Sequence, residues 1–110
     1  MGKLVVGQII ASSFPFSDLS STKLRPAIVA AIVDFENVIL CQITSRPYSS
    51  TKPIKLTAKD FTRGKLPIDS YIRPDKLFTA DPSIVKDIYG EVTKDKLNET
   101  HTAICGLFKT

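Results

Sequence analysis

Two short apolar runs dominate the hydrophobic pattern: Ala27-Ile28-Val29-Ala30-Ala31-Ile32-Val33 and Val38-Ile39-Leu40-Cys41-Gln42-Ile43, separated by the turn-like Asp34-Phe35-Glu36-Asn37. Both are too short for typical helices and rich in Val and Ile, so they read as central strands of a small barrel or highly curved sheet. Paired antiparallel, the start of the first lies beside the end of the second. Those two ends carry Lys23 and Arg25 on one side and Thr44, Ser45 and Arg46 on the other, so groups able to handle a phosphate converge at one rim. Pro26 suits the first position of a strand and biases Arg25 toward extended backbone.

The flanking pattern is also strand-rich. Residues 4–11 read as a strand, with Gly7 as a bulge or close-approach point. The hydroxyl-rich residues 17–23 form a long hairpin loop, and Phe14 and Phe16 beside it cap the core in preference to stacking on bases. Past a polar loop, Ile54-Lys55-Leu56 alternates as a short edge strand with Lys55 outward. Residues 57–61 suit a helical turn before Gly64. Residues 70–73 form a strand closed by Pro74, residues 77–79 a second short piece, and Asp81-Pro82-Ser83 a turn. Residues 84–92, containing Gly90, make a last turn and a short strand. Thr93 then caps a helix over residues 94–107. Its spacing puts Leu97, His101, Ile104, Leu107 and Phe108 on one face, packed on the sheet. That makes His101 a satisfied core or rim histidine rather than a ligand.

Composition narrows the class. A chain of 110 residues, 43% hydrophobic and 24% charged, forms one domain over residues 1–110 and can bury a core without staples. The formal net charge of +4 suits a polyanion such as nucleic acid, or an acidic protein that covers the same surface. Lys52, Lys55, Lys59, Arg63 and Lys65 gather just after Arg46. Cys41 and Cys105 lack CxxC spacing and read as reduced core thiols of a cytoplasmic protein. No stretch reaches the roughly 20 apolar residues of a membrane span, and Gln8 and Ser12-Ser13 interrupt the N-terminal apolar patch before it could act as a signal. Phosphate-loop, HExxH and nucleophile-elbow motifs are missing, so neither metal nor cofactor is expected.

In order, the chain carries a strand with Gly7, a hydroxyl-rich loop, Arg25-Pro26-Ala27-Ile28-Val29, Gln42-Ile43-Thr44-Ser45, Tyr71-Ile72-Arg73-Pro74-Asp75-Lys76-Leu77, Gly90 and a terminal helix. Over essentially its whole length it resembles the MazF/PemK family of toxin ribonucleases. The resemblance implies a mostly β fold, an SH3-like small barrel with a C-terminal helix. It further implies a homodimer, cofactor-free cleavage of single-stranded RNA, usually mRNA, and a cognate antitoxin whose C-terminal segment occupies the RNA groove. By the same resemblance Arg25 and Thr44 fall on catalytic positions, with Ser45 beside them, and Arg73 and Asp75 match a second catalytic pair of the PemK branch. That branch also uses a histidine in the first hairpin loop, and this chain has none there.

Metal-independent RNA cleavage uses the 2′-hydroxyl as nucleophile and leaves a 2′,3′-cyclic phosphate and a 5′-hydroxyl. The planar guanidinium of Arg25 suits the charge on the phosphorane, and Thr44 Oγ would position the phosphate. Asp75, oriented by Arg73, is the carboxylate to test as base; a local ion pair is the plainer account of the two. Ser17, Lys23, Ser45, Arg46, Tyr48 and Lys52 make up the expected substrate-binding set, through backbone contacts and base stacking. A barrel that inhibits by binding alone, as the CcdB-type gyrase poisons do, is the alternative.

Overall fold

A computed structural model describes residues 3–13, 24–46, 48 and 53–109. Its strands are β1 (Gln8–Ser13), β2 (Leu24–Ile32), β3 (Val38–Thr44), β4 (Ile54–Leu56), β5 (Phe61–Gly64), β6 (Ser70–Ala80) and β7 (Val85–Val92), followed by helix α1 (Lys94–Gly106). All pairings are antiparallel, in the order β4-β6-β3-β2-β1-β7-β5. The two apolar runs are the middle of this sheet, as their composition predicts. Ile54 and Leu56 from one edge and Phe61 from the other enter the same core as Ile9, Ile28, Ile43 and Ile72. The sheet therefore curls until its edges share a core, giving the expected mostly β, barrel-like fold with a C-terminal helix.

Strand alternation gives the sheet two packed faces. One carries Ile9, Ile28, Cys41, Ile43 and Ile72 and is covered by Leu97, Ala103 and Ile104 of α1. The other carries Ile10, Ala27, Val29, Val38, Leu40 and Val85, with Leu4, Phe78 and Ile84 against it. Thr93 caps α1 by accepting from Lys96 N at 3.2 Å. His101 Nε2 donates to the Ala30 carbonyl at 2.8 Å, the satisfied rim histidine that its face implies.

Several boundaries differ from the pattern reading. β1 begins at Gln8, because Gly7 has φ +100° and turns the chain there; the side chain of Gln8 accepts from Val5 N at 2.8 Å. Gly7 is thus a turn glycine. The close approach lies at Gly64, where a Cβ would come within 2.1 Å of the Tyr89 carbonyl oxygen. β2 starts at Leu24, so Pro26 lies inside the strand; its first pair with β3 is Ala27↔Gln42, one residue beyond the proline. β7 is a full strand of eight residues. The helix stops at Gly106, which leaves Leu107 and Phe108 49% and 74% exposed; the apolar spacing continues past the last turn, but the helix that would carry it does not. Thr100 takes the buried place instead, its hydroxyl donating to the Lys96 carbonyl at 2.9 Å. Cys41 is buried as expected, whereas Cys105 is exposed; both are free thiols. Phe14 and Phe16 lie outside the described residues.

The largest departure is β6. Pro74 does not end it: one strand of 11 residues runs from Ser70 to Ala80. Cys41 pairs with Leu77 and Ile43 with Ile72, so a step from 41 to 43 on β3 faces a step from 72 to 77 on β6. The excess forms a wide bulge over residues 73–76. Bulged residues leave the ladder, so a proline among them forfeits no ladder bond.

Candidate functional site

Continuing the β2–β3 register from Ala27↔Gln42 by two residues sets Arg25 opposite Thr44. The last pair of the ladder is Ala27↔Gln42, and Pro26 beside it has no N–H to extend the pairing. At this rim opens a cavity of about 440 Å³, lined among the described residues by Leu24, Arg25, Thr44, Ser45, Ile68 and Tyr89, among others. Arg25 and Thr44 thus share one cavity wall, as the convergence of strand ends predicts. Thr44 Oγ accepts from Arg46 N at 3.1 Å, which spends a lone pair and leaves its proton to be donated outward. Ser45 and Arg46 are exposed beyond it.

Arg73 and Asp75 occupy the β6 bulge. Arg73 donates from Nε to Asp75 Oδ1 at 3.0 Å and from Nη2 to Oδ2 at 2.5 Å, the bidentate geometry in which a guanidinium matches a carboxylate. The hydrogen bonds and charge of Arg73 hold the Asp75 carboxyl below the ordinary value of 3.8, and Asp75 in turn raises Arg73. Such a carboxylate is a weaker base than an unpaired aspartate. Beneath the bulge, burial and then the charge of Asp75 push the Cys41 thiol up to about 12.

Tyr48 supports this pair. Its hydroxyl donates to the Ile72 carbonyl at 2.7 Å and accepts from Ile54 N at 3.2 Å, which ties Tyr48 to both β4 and β6. The Arg73 guanidinium lies 4.8 Å from the centre of its ring, within cation–π range. Tyr48, expected as a substrate contact, thus stands against Arg73. Neither Arg73 nor Asp75 is among the cavity-lining residues. Ser17, Lys23 and Lys52 lie outside the described residues.

Ser12, which in the sequence only interrupts an apolar patch, stands beside the site. It pairs with Arg25 across β1 and β2, is 0% exposed, and its Oγ has no hydrogen-bond partner among the described residues. A serine near a strand end carries no sequence signal of this kind, because its burial depends on what the fold brings over it. Among the described residues no three His, Cys, Asp or Glu side chains cluster as metal ligands would, and no helix is long and apolar enough to cross a membrane.

No curated protein sequence matches this chain. Solved structures share its fold. MazF from Deinococcus radiodurans has 20% identity, covers 97% of both chains and has a TM-score of 0.74. The Mycobacterium tuberculosis toxin MazF-mt6 has 16% identity, covers 92% of this chain and 95% of its own, with a TM-score of 0.71. A mycobacterial endoribonuclease in complex with its cognate antitoxin has 18% identity, covers 100% of both chains and has a TM-score of 0.68. At such identities the likeness speaks for the fold alone; the sequence itself matches the profile of the PemK-like, MazF-like toxins over residues 6–108. A match of that extent, on a fold that carries Arg25 and Thr44 to one rim, makes the chain a member of the PemK-like, MazF-like toxin family of type II toxin-antitoxin systems.

Proposed function

We propose that this toxin is a metal-independent endoribonuclease that cuts single-stranded RNA, with mRNA as its cellular substrate. The observation that carries the reading is the placement of Arg25 and Thr44 along one cavity, beyond the last β2–β3 pair. In the reaction the 2′-oxygen bonds to the adjacent phosphorus as its proton leaves. The bond from phosphorus to the 5′-oxygen then breaks, and that oxygen gains a proton. Charge builds on the non-bridging oxygens in between. The guanidinium of Arg25 meets that charge, a role for which preorganised donors are worth about 3 to 4 kcal/mol. Thr44, its lone pair engaged by Arg46 N, donates to a non-bridging oxygen and fixes the phosphate.

Arg73 supplies a second positive charge, and Asp75 keeps it oriented. The carboxylate that sequence reasoning nominates as base works in this reading chiefly through Arg73, because its lowered pKa disfavours taking the 2′ proton. Ser45 and Arg46, exposed beside Thr44, guide the strand. The functional unit is a homodimer, and the cognate antitoxin covers the RNA-binding surface. The antitoxin is supported by the family, toxins of type II toxin-antitoxin systems, and by the structural neighbour bound to its cognate antitoxin.

The test is incubation of the protein with a long single-stranded RNA in EDTA, followed by mapping of the new ends. Cleavage at defined short sequences with 2′,3′-cyclic phosphate ends is expected. Intact RNA, or cleavage that needs a divalent metal, overturns the proposal; intact RNA with growth inhibition retained is the outcome expected of a toxin that acts by binding alone.

A further inference from the structure

The sheet register reveals a row of side chains that neither the sequence nor the family match assigns. Thr44 of β3 lies opposite Tyr71 of β6, and Tyr71 lies opposite Lys55 of β4. Directly opposed residues point to the same side of a sheet. The neighbouring row, Ile43, Ile72 and Ile54, turns into the core beneath α1, so Thr44, Tyr71 and Lys55 turn the other way. Arg25 continues the row on β2, and Ser12 ends it on β1. The row therefore reads hydroxyl, guanidinium, hydroxyl, aromatic ring, ammonium.

Each member suits one part of an RNA strand. Lys55 is exposed on the edge strand, and Tyr71 is half-buried. The Tyr71 ring is braced edge-on by Tyr48, with centroids 6.2 Å apart, and Tyr48 is in turn held under Arg73. Aromatic rings displayed on a sheet face are a recurring platform for unpaired bases. Three strand intervals separate Arg25 from Lys55, about 14 Å at the usual spacing, a distance that a few nucleotides of extended backbone bridge. A lysine on an edge strand also discourages edge-to-edge pairing, but that role requires no aromatic ring between it and an arginine.

We infer that the RNA strand crosses the sheet along this row, with the cut phosphate at Arg25 and Thr44, a neighbouring base stacked on Tyr71, and a further phosphate on Lys55 Nζ. The inference rests on the ribonuclease reading for the position of the cut. Its binding consequences are separable from catalysis.

The test is equilibrium binding of a single-stranded RNA whose 2′-hydroxyls are all methylated, so that it cannot be cut, with 2-aminopurine as a reporter base, over a range of salt. Lys55→Ala should weaken binding and lower the slope of log affinity against log salt by about 0.7, the share of one phosphate contact to a single strand. Lys59→Ala, which removes an exposed cation off the row, should leave the slope unchanged. Tyr71→Leu should weaken binding roughly tenfold and abolish reporter quenching, while Tyr71→Phe retains both. Melting temperatures identify any variant that misfolds, and Tyr71→Phe and Lys55→Ala decide the matter should Tyr71→Leu do so.

An unchanged slope for Lys55→Ala, an equal loss for Lys59→Ala, or quenching indifferent to residue 71 overturns the path. So does failure of the wild-type protein to bind this RNA. If the wild type cuts unmodified RNA while these variants bind as it does, the path alone fails. If the row governs binding but unmodified RNA stays intact, the path stands and the catalytic reading fails.

Discussion

Two charged clusters in this small protein use similar chemistry to different ends. Around Lys96, the ammonium donates to the Lys55 carbonyl and to Glu99 Oε1, both at 2.8 Å, and stands 3.8 Å from Asp60 Oδ1. Asp60 is also half of a capping box with Thr57. The cluster ties α1 to β4 and to the turn after it, and the lysine side chain is 11% exposed. Its three donors all face protein, so nothing remains to offer a ligand. Around Arg73 the carboxylate takes Nε and Nη2, and the guanidinium lies against Tyr48. Nη1 has no hydrogen-bond partner among the described residues, and the side chain is 26% exposed. Saturated valence on a covered face makes a clasp; residual valence on an open face leaves a group that can meet substrate.

The comparison breaks most visibly at the level of activity. Arg25→Ala, at the open rim, should lower the cleavage rate of the folded protein by about 100- to 1,000-fold, the usual cost of removing one transition-state donor. Cleavage at the parental rate would remove Arg25 from the chemistry. Arg73→Ala should follow with a smaller loss, on the order of tenfold, because Arg73 does not line the cavity and the proposed reaction gives it only a supporting charge.

Lys96→Met should do the reverse. Denaturant unfolding should show a loss of about 1 to 3 kcal/mol, from the stranded carbonyl and carboxylate, while the turnover of folded protein stays at its parental value. Equal losses of activity from Lys96→Met and Arg73→Ala would erase the distinction between clasp and site.

The pH dependence of stability sharpens the picture further. Asp75 has a folded pKa below its ordinary 3.8, so its pairing stabilises the protein above that value and the contribution fades as pH falls through the folded pKa. Asp75→Asn should therefore be less stable than wild type at neutral pH, and the two should converge below about pH 3.8. With the Asp75 side chain 46% exposed, solvent screening keeps the gap small. Curves that stay parallel into acid would mean that the pair contributes nothing to the fold. The smallest effect belongs to Ser12→Ala: loss of a buried hydroxyl with no partner among the described residues should leave stability unchanged or raise it by up to about 1 kcal/mol, read by denaturant unfolding.

The central strands were legible because their signal is local. Two short, mostly apolar runs of seven and six residues on either side of a polar turn bury themselves in the middle of any sheet, and Thr93 caps its helix with its own side chain. Arg25 and Thr44 were legible at one remove, since antiparallel pairing alone brings those ends together. The β6 bulge was not. A proline reads locally as a stop, and only the pairing of β3 with both halves of β6 shows the strand continuing past it. Leu107 and Phe108 illustrate the converse, because an apolar phase in sequence carries no information about where the last helical turn closes.

Chain order, strand composition and the cap of α1 were thus determined by the sequence itself, through alternation, β-branching and side-chain hydrogen bonding over a few residues. The tertiary structure alone decided that a cavity opens beyond Ala27↔Gln42, bringing Ile68 and Tyr89 beside Arg25 and Thr44. It also decided that Tyr48 spends its hydroxyl on Ile72 and Ile54, and that Thr44, Tyr71 and Lys55 stand in one row. The physical reason is register. Which residue faces which across a sheet depends on every bulge between them, and a bulge is a property of two strands together that neither strand's sequence contains.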